Sequence, residues 1–319
     1  MKKIIAITGA TATGKTELAV KLSKKLCAEI VSCDSMLFYK KMNIGTAKPT
    51  KEEMGGIKHH MIDILDIHDD FSVAEYVKAA NLCIDNIYHN EKIPIFCGGT
   101  GLYIDSLLNS TDFGSFPSLP GYRKELTDFA NANGNEKLHE LLKKTDPESA
   151  AKIDKNNVKR VIRALEIYKA TGKTMTRWNE ESKFSEKKFD YVKIILEYKD
   201  REKLYERINC RVDEMIEKGL VQEARELKED GLEKCPTAGQ AIGYKELFPY
   251  FDGKASLSEC VEKIKSESRK YAKRQQTWFK RDAEAKRIYV DEMSSEQVFD
   301  TAYNICSEFL KPDKLWSLQ

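Results

Sequence analysis

The octet GATATGKT, residues 9 to 16, lies between the apolar run KKIIAIT and the segment KTELAVKLSKKL, whose Leu18, Leu22 and Leu26 share one helical face. It fits G-x-x-x-x-G-K-[ST] in the strand-to-helix setting that this motif requires. A chain that delivers a buried strand into such a loop and leaves it as a helix is committed to α/β architecture. The glycines let backbone amides converge on an anion, and the helix N-terminus adds partial positive charge. Lys15 adds a full charge, and the Thr16 hydroxyl is placed to ligate Mg²⁺. The loop specifies a phosphate and leaves open which molecule carries it.

The pattern downstream alternates in the same way. AEIVSCD (28–34) reads as a second strand, HMIDIL (60–65) as a third and KIPIFC (92–97) as a fourth. Ser72 and Glu75 are spaced as a capping box for a helix running to about residue 90. GGTGLYIDSLLN (98–109) reads as a turn entering a helix. This alternation predicts a P-loop NTPase-like parallel sheet flanked by helices. After the turn-rich FGSFPSLPG (113–121), the stretch to residue 189 shows only helical spacing, with Asp146-Pro147 as one helix start and Gly172 as an end. Strand character returns in YVKIILEY (191–198); helices at about 200–218, 221–230 and 256–282 and a short strand RIYVD (287–291) follow. The expected organisation is a catalytic core of residues 1–112 and 190–319 interrupted by an all-helical insertion, 113–189.

Composition narrows the function classes. The 319 residues are 41% hydrophobic and 33% charged with a formal net charge of +2, so an acidic partner must be held by local basic clusters. No run approaches the roughly 18 apolar residues of a membrane span. The eight cysteines contain no C-x-x-C pair, against both a zinc ribbon and a disulfide framework. A reduced, cytoplasmic, monomeric enzyme without membrane contact is expected.

Asp34 closes the second strand, at the edge where parallel sheets place ligands, and a carboxylate there can take a proton from a nucleophile. The fourth strand ends in Cys97 and two glycines, where many P-loop proteins that use NTP carry a metal-binding aspartate. Thr100 offers a hydroxyl at the next helix start. Lys159 and Arg163 lie four apart on one helix face, and RKYAKRQQTWFKR (269–281) interleaves basic residues with Tyr271, Trp278 and Phe279. Such segments suit either a solvated helix face or RNA phosphates and bases. Arg207 and Arg211 stand four apart and are candidates to face the phosphate loop. The adjacent His59 and His60 make poor metal-ligand geometry, and a zinc site is not expected.

In order, GATATGKT, DSMLFYKKMNIGTAKP, GGTGLY, DPESAAKIDKNNVKRVIRALE, IGYKEL and YAKRQQTWFKR closely resemble the bacterial tRNA dimethylallyltransferases, over residues 4 to about 281. The resemblance implies transfer of a dimethylallyl group from dimethylallyl diphosphate to N6 of adenosine 37 of tRNA. It implies Asp34 as general base. Gly9, Ala10, Thr11, Ala12, Thr13, Gly14, Lys15 and Thr16 would cradle the diphosphate with Mg²⁺ and Arg211, and Thr100 would lie near the reacting groups. Ser35, Met36 and Leu37 match the segment around the extruded adenine; Arg123, Lys159, Arg160, Val161, Ile162 and Arg163 match tRNA contacts. Three places depart from the family pattern: Leu37 replaces a glutamine, Ala10 a proline, and Asp154-Lys155-Asn156-Asn157 a His-Pro-Asn-Asp. The residues themselves leave three alternatives open: a transferase acting on free adenine nucleotides, a P-loop small-molecule kinase, and a nucleotide-dependent RNA-binding module.

Overall fold

Six parallel strands form one sheet in the order β3-β2-β4-β1-β5-β6. In this computed structural model residues 1–109, 119–181 and 188–311 are described. The chain divides into two units, one of Met1–Leu108 with Lys188–Gln319 and one of Asn109–Lys187.

The first unit opens with β1 (Lys2–Gly9), α1 (Lys15–Leu26), β2 (Ala28–Ser32), α2 (Lys51–Met54), β3 (His59–His60), α3 (Val73–His89), β4 (Ile93–Gly98) and α4 (Gly101–Leu108). The second holds α5 (Pro120–Asn133), α6 (Asn135–Thr145), α7 (Pro147–Lys152), α8 (Val158–Thr171) and α9 (Met175–Glu181). The first unit resumes with β5 (Phe189–Glu197), α10 (Arg201–Glu217), α11 (Leu220–Glu229), α12 (Phe248–Phe251), α13 (Leu257–Phe279), β6 (Lys286–Tyr289) and α14 (Ser295–Leu310).

Period-two alternation along β1 divides the core between the two sheet faces. Ile5 and Ile7 pack with Leu18, Leu22, Ile30, Ile95 and Ile194 on one side. Ile4 and Ala6 pack with Val31, Phe38, Tyr76, Phe96 and Ile104 on the other. Since β1 pairs with both β4 and β5, the chain leaves β1 towards β2 and leaves β4 towards β5. This reversal is the crevice where open parallel sheets bind ligands. Register places Thr8 opposite Gly98 and Ser32 opposite Cys97, so the phosphate loop, Asp34 and the GGTG turn emerge at one sheet edge.

The capping box at Ser72 forms as its spacing predicts. The strand expected over 60–65 is corrected: only His59–His60 pair with β2, because Met61 and Asp63 take left-handed φ of 61° and 55°, which ends the extended run. In the second unit Asp146 caps α7 through the Ser149 amide at 3.0 Å and also accepts from Met175 N at 2.8 Å, seating the start of α9. The turn-rich boundary at 113–121 lies largely outside the described residues.

Candidate active site at the sheet edge

At the end of β1, Gly9 has φ 142°, and a Cβ there would lie 2.3 Å from the Leu196 carbonyl oxygen, so only glycine fits. Gly14 takes a left-handed φ of 83° as the N-cap of α1, and Ala12 is left-handed at 64°. Backbone bent in this way makes an anion-binding concavity. The Thr13 hydroxyl donates to the Ala10 carbonyl at 2.9 Å, and the Lys15 ammonium donates to the same carbonyl at 2.5 Å. Burial pulls the Lys15 ammonium down to about 8, with Arg211 adding to the fall and Asp34 opposing it. A desolvated cation of this kind gains stability when a phosphate anion arrives beside it.

Asp34 follows β2 in a turn made by its own side chain, whose Oδ1 accepts from the Met36 amide at 3.1 Å. Burial pushes its carboxyl up from the usual aspartate value, against the pull of that amide, Lys15 and Arg211. The two loops are stitched together: Thr100 N donates to the Cys33 carbonyl at 3.3 Å, and Ser35 N donates to Thr100 Oγ1 at 3.4 Å. Gly98 is required here, since a Cβ would lie 2.5 Å from the Cys33 backbone. Asp34, Ser35 and Thr100 are thereby brought to the mouth of the phosphate loop. Cys97, beneath them, is a neutral thiol, pushed up by burial to about 11.

Helices α10 and α13 close the loop's other side. Arg211 Nη1 donates to Thr11 Oγ1 at 3.1 Å, whereas Arg207 is exposed. From α13, buried Gln275 accepts from Thr11 N at 2.8 Å and donates to the Gly99 carbonyl at 3.0 Å. One turn earlier Tyr271 faces Thr100, Gln275 and Asp34, and burial drives its phenol well above the usual tyrosine value. Sequence reasoning placed neither residue in the site. The available signal was a glutamine in the buried stripe Cys260, Ile264, Ala272, Gln275 and Phe279.

The loop after Asp34 is fixed by a carboxylate it wraps. Glu223 on α11 accepts from the amides of Asn43, Ile44 and Gly45 at 2.9–3.1 Å, and Tyr244 Oη donates to it at 2.7 Å. A Cβ on Gly45 would sit 2.5 Å from the Tyr244 ring. This contact joins the motifs NIGTAKP and IGYKEL. Outside the site, His60 bonds Glu29 at 2.6 Å and His59 bonds the Ile57 carbonyl at 2.9 Å.

In the helical unit α8 starts at Asn157, whose side chain accepts from the Arg160 amide at 3.4 Å. The departing segment 154–157 folds as a turn, with Asn156 N on Asp154 Oδ1 at 2.8 Å. Lys159 and Arg160 are exposed in the first turn of α8, which contains no acid. Cations there oppose the helix dipole, an arrangement that an external anion relieves. Val161 and Ile162 are buried, 0% and 7% exposed, among Leu126, Leu138 and Leu165. Their side chains support the fold, packed in the core of the helical unit.

The family model described as IPP transferase matches residues 37–282. The tRNA dimethylallyltransferase of Caldanaerobacter subterraneus subsp. tengcongensis is 48% identical over 291 residues, 91% of this chain and 92% of that protein. That of Anoxybacillus flavithermus is 46% identical over 95% of this chain and 94% of its own length. The chain belongs to the IPP transferase family.

Solved structures place the IPP transferase fold over the same span. The full-length tRNA isopentenylpyrophosphate transferase of Bacillus halodurans superposes with a TM-score of 0.73 at 41% identity, covering 97% of both chains. A eukaryotic dimethylallyltransferase described as acting on tRNA gives 0.82 at 30% identity, covering 98% of this chain and 81% of its own. The expected P-loop-type parallel sheet is borne out.

As a metal site, the donor set of this IPP transferase is sparse. Thr16 and Asp34 offer hard oxygens, while the neutral Cys97 thiol suits no hard cation. Such a set fits Mg²⁺, which is held by few protein ligands and takes the rest from phosphate oxygens and water. Among the described residues, no helix is long and apolar enough to cross a membrane.

Proposed function

We propose that the protein transfers the dimethylallyl group of dimethylallyl diphosphate to N6 of adenosine 37 in tRNA, releasing diphosphate. The observation that carries this reading is the placement of Asp34 and Thr100 at the mouth of a phosphate loop whose neighbouring strand ends in a neutral thiol instead of an acid. That arrangement supports displacement of a held diphosphate by a nucleophile with a base beside it.

An adenine amino group is a weak nucleophile because its lone pair is delocalised into the ring. Asp34, its carboxyl raised above the usual aspartate value by burial, accepts the N6 proton as the C–N bond forms. The allylic C–O bond breaks, and its electron pair leaves with the diphosphate. The loop from Gly9 to Thr16, Lys15 and Arg211 stabilise that departing charge, which matters most where water is excluded. Thr16 would help hold Mg²⁺, which would supply further neutralisation of the departing charge.

On the RNA side, Ser35, Met36 and Leu37 flank the flipped adenine, and Thr100 orients the reacting groups. Arg123, Lys159, Arg160 and Arg163 contact the anticodon arm. Leu37 has no side-chain polar atom, so it meets a neighbouring base by apolar contact and offers it no side-chain hydrogen bond.

The test is incubation of purified protein with labelled dimethylallyl diphosphate, unmodified anticodon stem-loop and, separately, ATP. Label in RNA supports the proposal; ATP turnover without label transfer overturns it.

A further inference from the structure

Among the described residues the helical unit encloses two carboxylates completely, Asp146, which caps α7, and Glu166. Glu166, on α8, is 0% exposed, yet it bonds two arginines that reach solvent. Its Oε1 accepts from Arg123 Nε at 2.6 Å, and its Oε2 accepts from Arg163 Nη1 at 2.7 Å. The same Oε1 accepts from the Leu119 amide at 3.1 Å, which stands in for the side-chain cap that α5 lacks. Burial alone would raise the Glu166 carboxyl; the bonds from Arg123, Arg163 and Leu119 hold it below the usual glutamate range, so it is charged at neutral pH.

The ring of contacts has a consequence for the two cations. Arg123 and Arg163 side chains remain 47% and 38% exposed. Arg123 is gripped through Nε, and its two terminal nitrogens meet no acceptor among the described residues. A guanidinium is planar, so a grip at Nε fixes where those nitrogens point. The backbone beneath is equally fixed, because Leu126 and Ala130 of α5 pack on Val161, Ile162 and Leu165 of α8. Two long side chains that would sample many rotamers are thus held before any ligand arrives, which lowers the ordering cost of binding.

We infer that Glu166 is a positioning residue that presents Arg123 and Arg163 as a fixed two-guanidinium fork for a backbone phosphate of RNA. The inference rests on the reading that the protein acts on RNA. Phosphate is the matching chemistry because its oxygens accept paired N–H donors from a planar guanidinium. Net charge alone does not explain the arrangement: a surface built only to attract RNA gains nothing by burying an acid between its arginines.

The experiment turns on sign. Glu166→Gln makes the unit more positive by one charge, so simple attraction predicts tighter stem-loop binding and a steeper salt dependence. The fork predicts the reverse, about tenfold weaker binding, with the loss falling on KM for RNA and not on kcat. A second pair of variants avoids the buried position altogether. If both arginines hold one phosphate, Arg123→Ala with Arg163→Ala costs clearly less than the sum of the two single losses. Tighter binding by Glu166→Gln, or additive losses in the double variant, overturns the inference while wild-type transfer of label leaves the functional reading standing. Absence of both RNA binding and label transfer in the wild type overturns the two together.

Discussion

Thr11 and Gln275, 264 positions apart in the chain, are joined by a 2.8 Å hydrogen bond from the Thr11 amide to the Gln275 side chain. The other end of the same amide group donates to Gly99. One buried side chain therefore sets the spacing between the phosphate loop and the turn that carries Thr100.

Replacing Gln275 by Leu leaves the part-buried Thr11 amide and the buried Gly99 carbonyl without this partner. Each costs about 1–3 kcal/mol, so a clear fall in the melting temperature is expected, with a transfer rate reduced by about tenfold or more. Thermal unfolding and single-turnover transfer by the same preparation check both parts. Unaltered rates would show that the two loops keep their spacing without Gln275.

Asp34→Asn removes the carboxylate proposed as proton acceptor and keeps the shape. The chemical step should slow by about 10²–10⁴, while stem-loop affinity stays near the wild-type value. A large loss of binding instead would mark Asp34 as structural. Because burial raises this carboxyl, wild-type kcat/KM should fall with decreasing pH from a point above the ordinary aspartate range, as the base becomes protonated. A pH–rate profile reads this limb directly.

Lys15 sets the opposite limb. Its ammonium is drawn down to about 8, so in the free enzyme it loses its proton as pH rises through that value. Binding of dimethylallyl diphosphate should then weaken by up to about tenfold per pH unit above 8. Calorimetric titration between neutral and alkaline pH tests this, and Lys15→Arg should bind with no such decline.

Gly45→Ala drives a methyl group into the Tyr244 ring, 2.5 Å away. Overpacking of this kind costs roughly 1–3 kcal/mol, and the displaced loop would pull on the segment that follows Asp34. Denaturant unfolding should show the loss, and Gly45→Ala combined with Tyr244→Leu should recover part of it.

The meeting of the phosphate loop, Asp34 and Thr100 at one sheet edge was legible because it follows from local spacing: a strand, a turn and a helix start. Tyr271 and Gln275 were not, since their role depends on α13 crossing loops whose residues lie more than 160 positions earlier. The expected strand at 60–65 failed on two left-handed residues, Met61 and Asp63, that apolar alternation does not reveal. The helix Met175–Glu181 follows the helix end expected at Gly172 and buries no residue of its own, so no buried stripe marks it as a separate element. Val161 and Ile162 show the converse: their motif was recognised, but which members of a helical motif face inward is decided by packing.

The central claim is carbon transfer to one atom of one nucleotide. The most direct measurement is digestion of anticodon stem-loop after incubation with the protein and labelled dimethylallyl diphosphate, followed by identification of the labelled nucleoside. The account predicts a single product, adenosine 37 carrying the dimethylallyl group on N6, with one diphosphate released per group transferred. Label on free adenine nucleotide but not on RNA, or phosphate transfer from ATP with no labelled nucleoside, would contradict it.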